Sequence, residues 1–490
     1  MTAQSGSEEK EARWQQEEKR SEDVIWVEFE PGDPENPFNF SNTRKWVMTI
    51  LAVFFTAEVA ATASAYVSGI PSMERDLGYE NEELSMLGIS IYALGFSLPP
   101  LVLAPLSEVF GRNVMYLSCH LLYTILFLGV GFAQNIQTVL ICRFLGGAMG
   151  STGSTMVGGT ISDLWKSSER GQPMALFATA AIVGTGFGPV WSGFVEQNSK
   201  LEWRWIQHIQ CIYTAVGFVI LAVFLKETRG TILLIRRARM LRKETGDQRY
   251  RARAEDETAS IPTLIRNSLT RPIIYLFTEP IVTSFSLWIA FVWGFMYMLL
   301  ESVGLVAGLH NYGPGITGLL FLSIVVAGIV GNLINPIQEK LYEKNVSKKG
   351  PEARLYLAGV GAFLFPIGCF IYGWTAYPDV SIAGPMVGVV VLMIGVYNIY
   401  LAVFNYLADT YLIYASSALA AQSFARNIFG FIFPLFVKQM YKRLGYQWAS
   451  TLAGILGAVL GAVPFVLYFW GQSIRKRSKV YNQIQKTYAN

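Results

Sequence analysis

Charge is what this sequence has least of. Asp, Glu, Lys and Arg make up 15% of its 490 residues, against 52% hydrophobic residues and a mean hydropathy of +0.36. A soluble domain of this length needs more charged surface than that. Histidine is scarce too: His120, His208 and His310 are the whole set, and none stands in metal-ligand spacing. No phosphate-binding Gly-rich Lys motif occurs, so ATP-driven pumping has no support. With no catalytic constellation either, the reading is not an enzyme, with no cofactor and no metal. The four cysteines, Cys119, Cys142, Cys211 and Cys369, fall one by one inside apolar blocks and read as small core hydrophobes, not as a disulfide framework. A signal peptide is also missing. The first 45 residues are polar, Glu8 to Arg20 being nearly all Glu, Lys, Arg and Gln, and no apolar h-region follows. They are expected to form a disordered or partly helical tail, with Pro31 to Asn42 as an extended lead-in.

What the chain has instead is long apolar blocks, each of roughly 20 residues or more and so able to cross ~30 Å of hydrocarbon. Twelve can be placed. The first six are Trp46–Gly69, Leu84–Pro105, Val114–Phe132, Thr138–Ile161, Pro173–Val195 and Trp205–Leu225. The second six are Pro280–Val303, Gly315–Pro336, Leu355–Trp374, Gly384–Leu407, Tyr414–Met440 and Trp448–Trp470. The chain is therefore expected to be an all-α integral membrane protein of twelve transmembrane helices in two six-helix bundles. Its segments are a tail (1–45), a first bundle (46–225), a central loop (226–279), a second bundle (280–470) and a second tail (471–490).

Lys and Arg set the expected orientation, because they concentrate on the cytoplasmic side of a membrane. The central loop carries a dense set from Lys226 to Arg271, the turn after span eight carries Lys340, Lys344, Lys348 and Lys349, and the second tail adds Arg475, Lys476, Arg477, Lys479 and Lys486. The other side has Arg75, Lys200 and Arg204, with Lys438, Lys442 and Arg443 near the last turn. Both termini and the central loop are then cytoplasmic, and the Asn345-Val-Ser347 sequon should be unglycosylated. Thr231 to Thr245 reads either as an amphipathic helix on the inner leaflet or as a solvated linker. No stacking aromatics accompany the basic run, so no nucleic-acid partner is expected.

Three motifs carry a resemblance. After span two the chain reads Ala104-Pro-Leu-Ser-Glu108-Val-Phe-Gly111-Arg112-Asn113, a tight turn at Gly111 flanked by an acid and a base. In span four, Arg143 precedes Gly146, Gly147, Gly150 and Gly153, a small-residue face that lets a helix approach closely. Span five reads Gly184-Thr-Gly186-Phe-Gly188-Pro189-Val-Trp-Ser192-Gly193. The first resembles the signature between the second and third helices of the major facilitator superfamily, with Ala104, Glu108, Val109 and Asn113 as departures. The second resembles that family's Arg-containing fourth-helix motif. The third is close to the span-five signature of its drug:proton antiporters, departing only at Ser192. Asp163 to Gly171, Trp203 to Ile206, Tyr406 to Ala418 and Phe424 to Pro434 extend the likeness to the fungal twelve-span multidrug and polyamine exporters. Gly430 and Pro434 match Gly188 and Pro189 as a trace of an internal repeat.

The resemblance implies a secondary active transporter, a proton-coupled exporter of small organic molecules working by alternating access, with uptake by a symporter or facilitator as the alternative and a non-transporting membrane sensor as a distant one. Its partners would be a small-molecule substrate, protons and the lipid bilayer. It would act as a monomer, in the plasma membrane or, as the second reading, a vacuolar membrane. Glu108, Gly111 and Arg112 would then form a cytoplasmic gating motif, and Gly184, Gly188, Pro189 and Gly193 the antiporter helix motif.

Ionisable residues at depth mark functional candidates, since lipid does not solvate them. Glu58, amid Ala57, Ala60, Ala61 and Thr62 in span one, can bind a proton or a cationic substrate, or stand as a hydrogen-bonded structural group. Arg143 reads as a coupling residue acting on a nearby carboxylate or as a structural anchor on backbone carbonyls. Glu301 is less deep and can line an external mouth. His120 reads as a satisfied helix-interface residue, Asp409 as a loop-proximal cap, and Arg426 as an interhelical anchor or an anion site. Trp293, Tyr297, Tyr397 and Tyr400 are the cavity aromatic candidates. Glu58 with these rings favours cationic amphiphiles, whereas Arg143 and Arg426 keep an organic anion open. Trp46, Trp203, Trp205, Trp448 and Trp470 read as interface anchors.

Overall fold

The computed structural model describes residues 24–79, 81–166, 169–257 and 260–489. Among the described residues its regular elements are helices, except for one pair of two-residue strands. Nine helical runs among the described residues are long and apolar enough to cross a membrane. Two of those runs hold an extra pass. The run Pro314–Thr375 turns back through the 3-10 helix Gly350–Leu355, and Pro434–Arg477 turns back at Gly445, whose φ is 78°. A further pass comes from Ile136–Gly150 and Thr152–Leu164, which run on through Ser151. The result is the twelve spans the hydropathy pattern predicts.

Local chemistry starts and breaks these helices where the sequence dictates. Ser41 caps span one by accepting from the Arg44 N–H, and Asn135 caps span four on Thr138. Span two, formed by Glu82–Gly95 and Pro100–Phe110, is interrupted between them. Pro100 has no N–H, so the Phe96 carbonyl loses its i+4 donor. The Asn427 side chain of span eleven supplies the missing bond at 2.7 Å. Outward faces are apolar: span six (Glu202–Phe224) exposes Ile212, Val216, Val219 and Val223 along one stripe, as a lipid-facing helix should.

Packing repeats with a shift of six spans. Span one packs on five and seven on eleven; span three packs on six and nine on twelve; span two packs on four and eight on ten. Between bundles, span five lies on span eight and span eleven on span two. Each bundle thus has the same internal arrangement, and the two meet across a pseudo-twofold seam.

The end that bears the termini, here the loop end, holds more structure than an unstructured tail would. Ile25–Trp26 pairs in parallel with Tyr250–Arg251 of the central loop. Val27 packs with Ala238 and Ala252, and Arg237 of the loop helix Gly230–Thr245 binds Asp33 at 2.6 Å. That ion pair holds the Asp33 carboxyl below the usual range and the Arg237 guanidinium above it. Residues 24–41 are therefore part of a small loop-end unit, and the loop helix spends its apolar face on them. The sequence-based tail up to position 23 lies outside the described residues.

Candidate functional site

The polar core of the first bundle is built around Glu58. Its carboxyl is buried, and neither oxygen has a hydrogen-bond partner among the described residues. His120 Nε2 of span three stands 3.6 Å from Glu58 Oε2 and 3.1 Å from the Thr214 carbonyl of span six. The imidazole stacks on Phe55 at 4.3 Å. Gly217 of span six leaves the room the carboxyl occupies, since a Cβ there would overlap it. Glu58 therefore looks towards spans three and six, away from the second bundle. Sequence reading treated Glu58 and His120 separately, and the structure brings them together.

Arg143 is fully engaged. Its guanidinium donates to the carbonyls of Gly88, Thr62 and Ala63 and lies 4.4 and 4.3 Å from the ring centres of Tyr66 and Tyr92. No carboxylate is at ion-pair distance from it among the described residues.

The second bundle presents a different centre. Trp293 and Tyr400 stack at 5.0 Å, and the Arg426 guanidinium sits 4.4 Å from the Trp293 ring centre and 5.3 Å from that of Tyr400. Tyr297 lies one turn beyond Trp293 against Gly430. Tyr397 crosses the seam, donating to the Ala175 carbonyl of span five at 3.2 Å. Glu301 shares the Trp293–Tyr297 face of its helix, is buried, and has no partner on either oxygen among the described residues.

Ion-pair networks occupy the loop end. Arg112 reaches Asp163 at 3.3 Å and Ser107 at 2.6 Å, and Arg229 reaches the other Asp163 oxygen at 3.2 Å. Glu108 touches both arginines only at 4.0 and 3.9 Å. Glu227 accepts from the backbone N–H groups of Arg112, Thr228 and Arg229, and fills the space beside Gly111, whose φ of 100° a Cβ would strain. The second bundle repeats the device after span eight. Arg354 binds Glu339 and Asp409, each at 3.0 Å, and Arg475 binds Glu352. Asp409 is thus an ion-pair partner where a loop-proximal cap was expected.

The glycines of span five serve two seams. Gly184 and Gly188 face span one, where a Cβ would press on the carbonyls of Ala57 and Ala61. Gly186 and Gly193 face span eight, against Val325 and Pro314. The bundles touch at both ends and between: Gly171 abuts Glu339 at the loop end, and Gln197 accepts from the Gly315 N–H at 3.2 Å at the far end.

The sequence profile of the Major Facilitator Superfamily matches residues 49–434. The chain belongs to that superfamily. It is 37% identical over 465 residues to the MFS-type efflux pump MFS2 of Trichophyton rubrum, covering 93% of this chain and 77% of the relative. It is 35% identical over 462 residues to the multidrug transporter mdrA of Aspergillus fumigatus, covering 93% and 75%. Among solved structures, the superfamily's proton:xylose symporter XylE, bound to 6-bromo-6-deoxy-D-glucose, matches with a TM-score of 0.64 at 15% identity, covering 88% of this chain and 96% of its own. That likeness is one of fold.

Sequence reasoning missed the Arg354–Glu339–Asp409 cluster and the Glu352–Arg475 pair. The signal was the internal repeat: charged residues flank the turn after span eight, at Gly350, as they flank Gly111 after span two. Trp203 also needs correcting, because it is buried and its indole N–H donates to Asp76 at 3.0 Å, which is no interface anchor.

Proposed function

We propose that this chain is a proton-coupled exporter of small organic molecules, working by alternating access between its two bundles. The observation that carries the reading is the span-five seam. Its glycines bring backbone against backbone both within the first bundle and across to span eight, so two rigid bundles can part and re-close along one line. The efflux-pump name of the Trichophyton rubrum relative favours the outward direction. In this reading the basic loop end faces the cytoplasm, the loop-end ion pairs gate that side, and the protein acts as a monomer in the plasma membrane. Glu58 is the proton-binding group: a buried carboxyl whose one ionisable neighbour among the described residues is His120 must change partners whenever its charge changes.

The test is transport in liposomes carrying the protein in one orientation, with rhodamine 6G and 2-naphthoate as probes. Export should accumulate a probe against its gradient when a proton gradient is imposed, and a protonophore should abolish it. Downhill flux alone, insensitive to protons, would make the chain a facilitator.

A further inference from the structure

At the bundle seam, no carboxylate among the described residues stands at ion-pair distance from the Arg426 guanidinium. Arg426 is 4% exposed, and its Nε and Nη1 have no acceptor among the described residues. Nη2 reaches the Ser423 hydroxyl at 3.5 Å, and the guanidinium lies 5.3 Å from the Tyr400 ring centre. Stacking on Trp293 and Tyr400 compensates a buried cation only in part. One turn earlier on the same face, Gln422 is fully buried with both its amide oxygen and nitrogen unpartnered. Two adjacent polar groups left unsatisfied at this depth are expensive unless something else binds them.

Their position is between the bundles. Asn427, the next residue, bonds the Phe96 carbonyl of span two, and Gly430 meets Ala93 and Tyr297. Phe177 of span five approaches Tyr400 at 6.4 Å. The other buried charges are disposed differently. Arg143 has spent its donors on carbonyls, and Glu58 is shut behind His120 and Gly217 on the side away from the seam. Glu301 shares the Trp293 face about 12 Å further along span seven, at 1.5 Å per residue.

We propose that Arg426, Gln422, Ser423, Trp293 and Tyr400 form a binding site for a planar organic anion, so that the substrates of this chain are amphipathic organic acids, not the amines that Glu58 suggests. The acid group, a carboxylate or sulfonate, takes either edge of the Arg426 fork, and Gln422 donates a further hydrogen bond. The planar body lies along the aromatic rings. This assignment deepens the exporter reading and rests on it for the site's access from both sides.

The experiment is binding of 2-naphthoate, its neutral analogue 2-naphthamide, and the cation tetraphenylphosphonium to the full chain in nanodiscs, followed by tryptophan quenching and calorimetry. Gradient-driven transport in liposomes is measured separately. Wild type should bind naphthoate at least about tenfold more tightly than naphthamide, a contrast of the size one charge-assisted contact carries. Arg426→Gln should erase that preference, and Arg426→Lys should restore part of it. Should Arg426→Gln fail to fold, Gln422→Leu carries the test and should weaken naphthoate more than naphthamide. Equal binding of the two analogues, or an unchanged preference in the variants, overturns the proposal. So does tight tetraphenylphosphonium binding lost in Glu301→Gln with no naphthoate binding, while its gradient-driven export would leave the exporter reading standing. Naphthoate binding as expected without gradient-driven flux keeps the anion site and overturns the exporter reading alone.

Discussion

Adding one methyl group at Gly318 should shift the protein between conformations without unfolding it. Gly318 lies at the far end of span eight, and a Cβ there would overlap the Pro189 carbonyl oxygen and come within 3.1 Å of its carbon. The opposing atoms are backbone and cannot rotate away, so spans five and eight must separate by about 1 Å to reach ordinary contact. Overpacking of this kind costs about 1–3 kcal/mol. The cost exists only where the two spans touch, so it is a difference between states and not a uniform loss of stability. It should favour forms with the far end open by about 5- to 150-fold. Spin labels at Lys200 and Asn311 would report the change as a longer distance component in Gly318→Ala. Gly308→Ala, where a Cβ meets nothing within 4 Å, is the control. By contrast Gly188→Leu, within the first bundle, should abolish transport through spans one and five. A Gly318→Ala distance distribution and transport rate identical to wild type would refute the idea that this seam opens.

Other expectations follow from the same geometry. Glu58→Gln should fold and bind neutral ligand but lose uphill export driven by a proton gradient; full gradient-driven transport would place coupling elsewhere, with Glu301 next. Asp163→Asn should free Arg112 and Arg229 together and raise labelling of a cysteine at Ser107 from the loop end, whereas unchanged labelling would show that the pair does not hold that end shut. Cysteines at Lys243 and Lys348 should react only from the cytoplasm and one at Lys200 only from outside; the reverse pattern would invert the orientation. Arg237 holds Asp33 below its ordinary value of 3.8, so this contact stabilises docking of residues 24–41 above that pH and is lost as pH falls through the lower folded value. Hydrogen exchange of Val27 should accordingly rise in Arg237→Gln already at neutral pH, and equal protection in the variant would show that the strand pair suffices.

The fold was legible because membrane spans announce themselves one at a time. Each needs only length and apolarity, so each of the twelve blocks falls on a helical span, although several helices run well past the expected ends, as Leu322–Lys349 does beyond Pro336. The loop-end unit was less legible because it depends on partners far apart in the chain. Val27 gains its burial from Ala238 and Ala252, and Asp33 gains Arg237, more than 200 positions away. Nothing local in Pro31 to Asn42 signals such a contact, and polar composition alone reads as a tail. The Arg354 cluster was legible in principle, since it repeats the Arg112 cluster in the second bundle. The repeat was traced through Gly430 and Pro434 and not through the charges.

Depth along the chain is easier to read than direction around a helix, and the anion-site proposal turns on that difference. Glu58 and Arg426 both sit well inside spans, and by depth alone the carboxyl is the stronger candidate for a ligand contact. A helix turns 100° per residue, so which neighbour a side chain meets depends on packing partners that one span does not reveal. Gly217 is the residue that settles the matter for Glu58. Lacking a side chain, it opens a space on span six that the carboxyl fills beside His120, on the side away from the second bundle. Asn427 settles it for Arg426. Its bond to the Phe96 carbonyl, left without a donor by Pro100, pins that stretch of span eleven against span two. Arg426 is thereby held at the seam with Nε and Nη1 unpartnered among the described residues, and this is why the proposed substrate contact between the bundles is assigned to a positive charge.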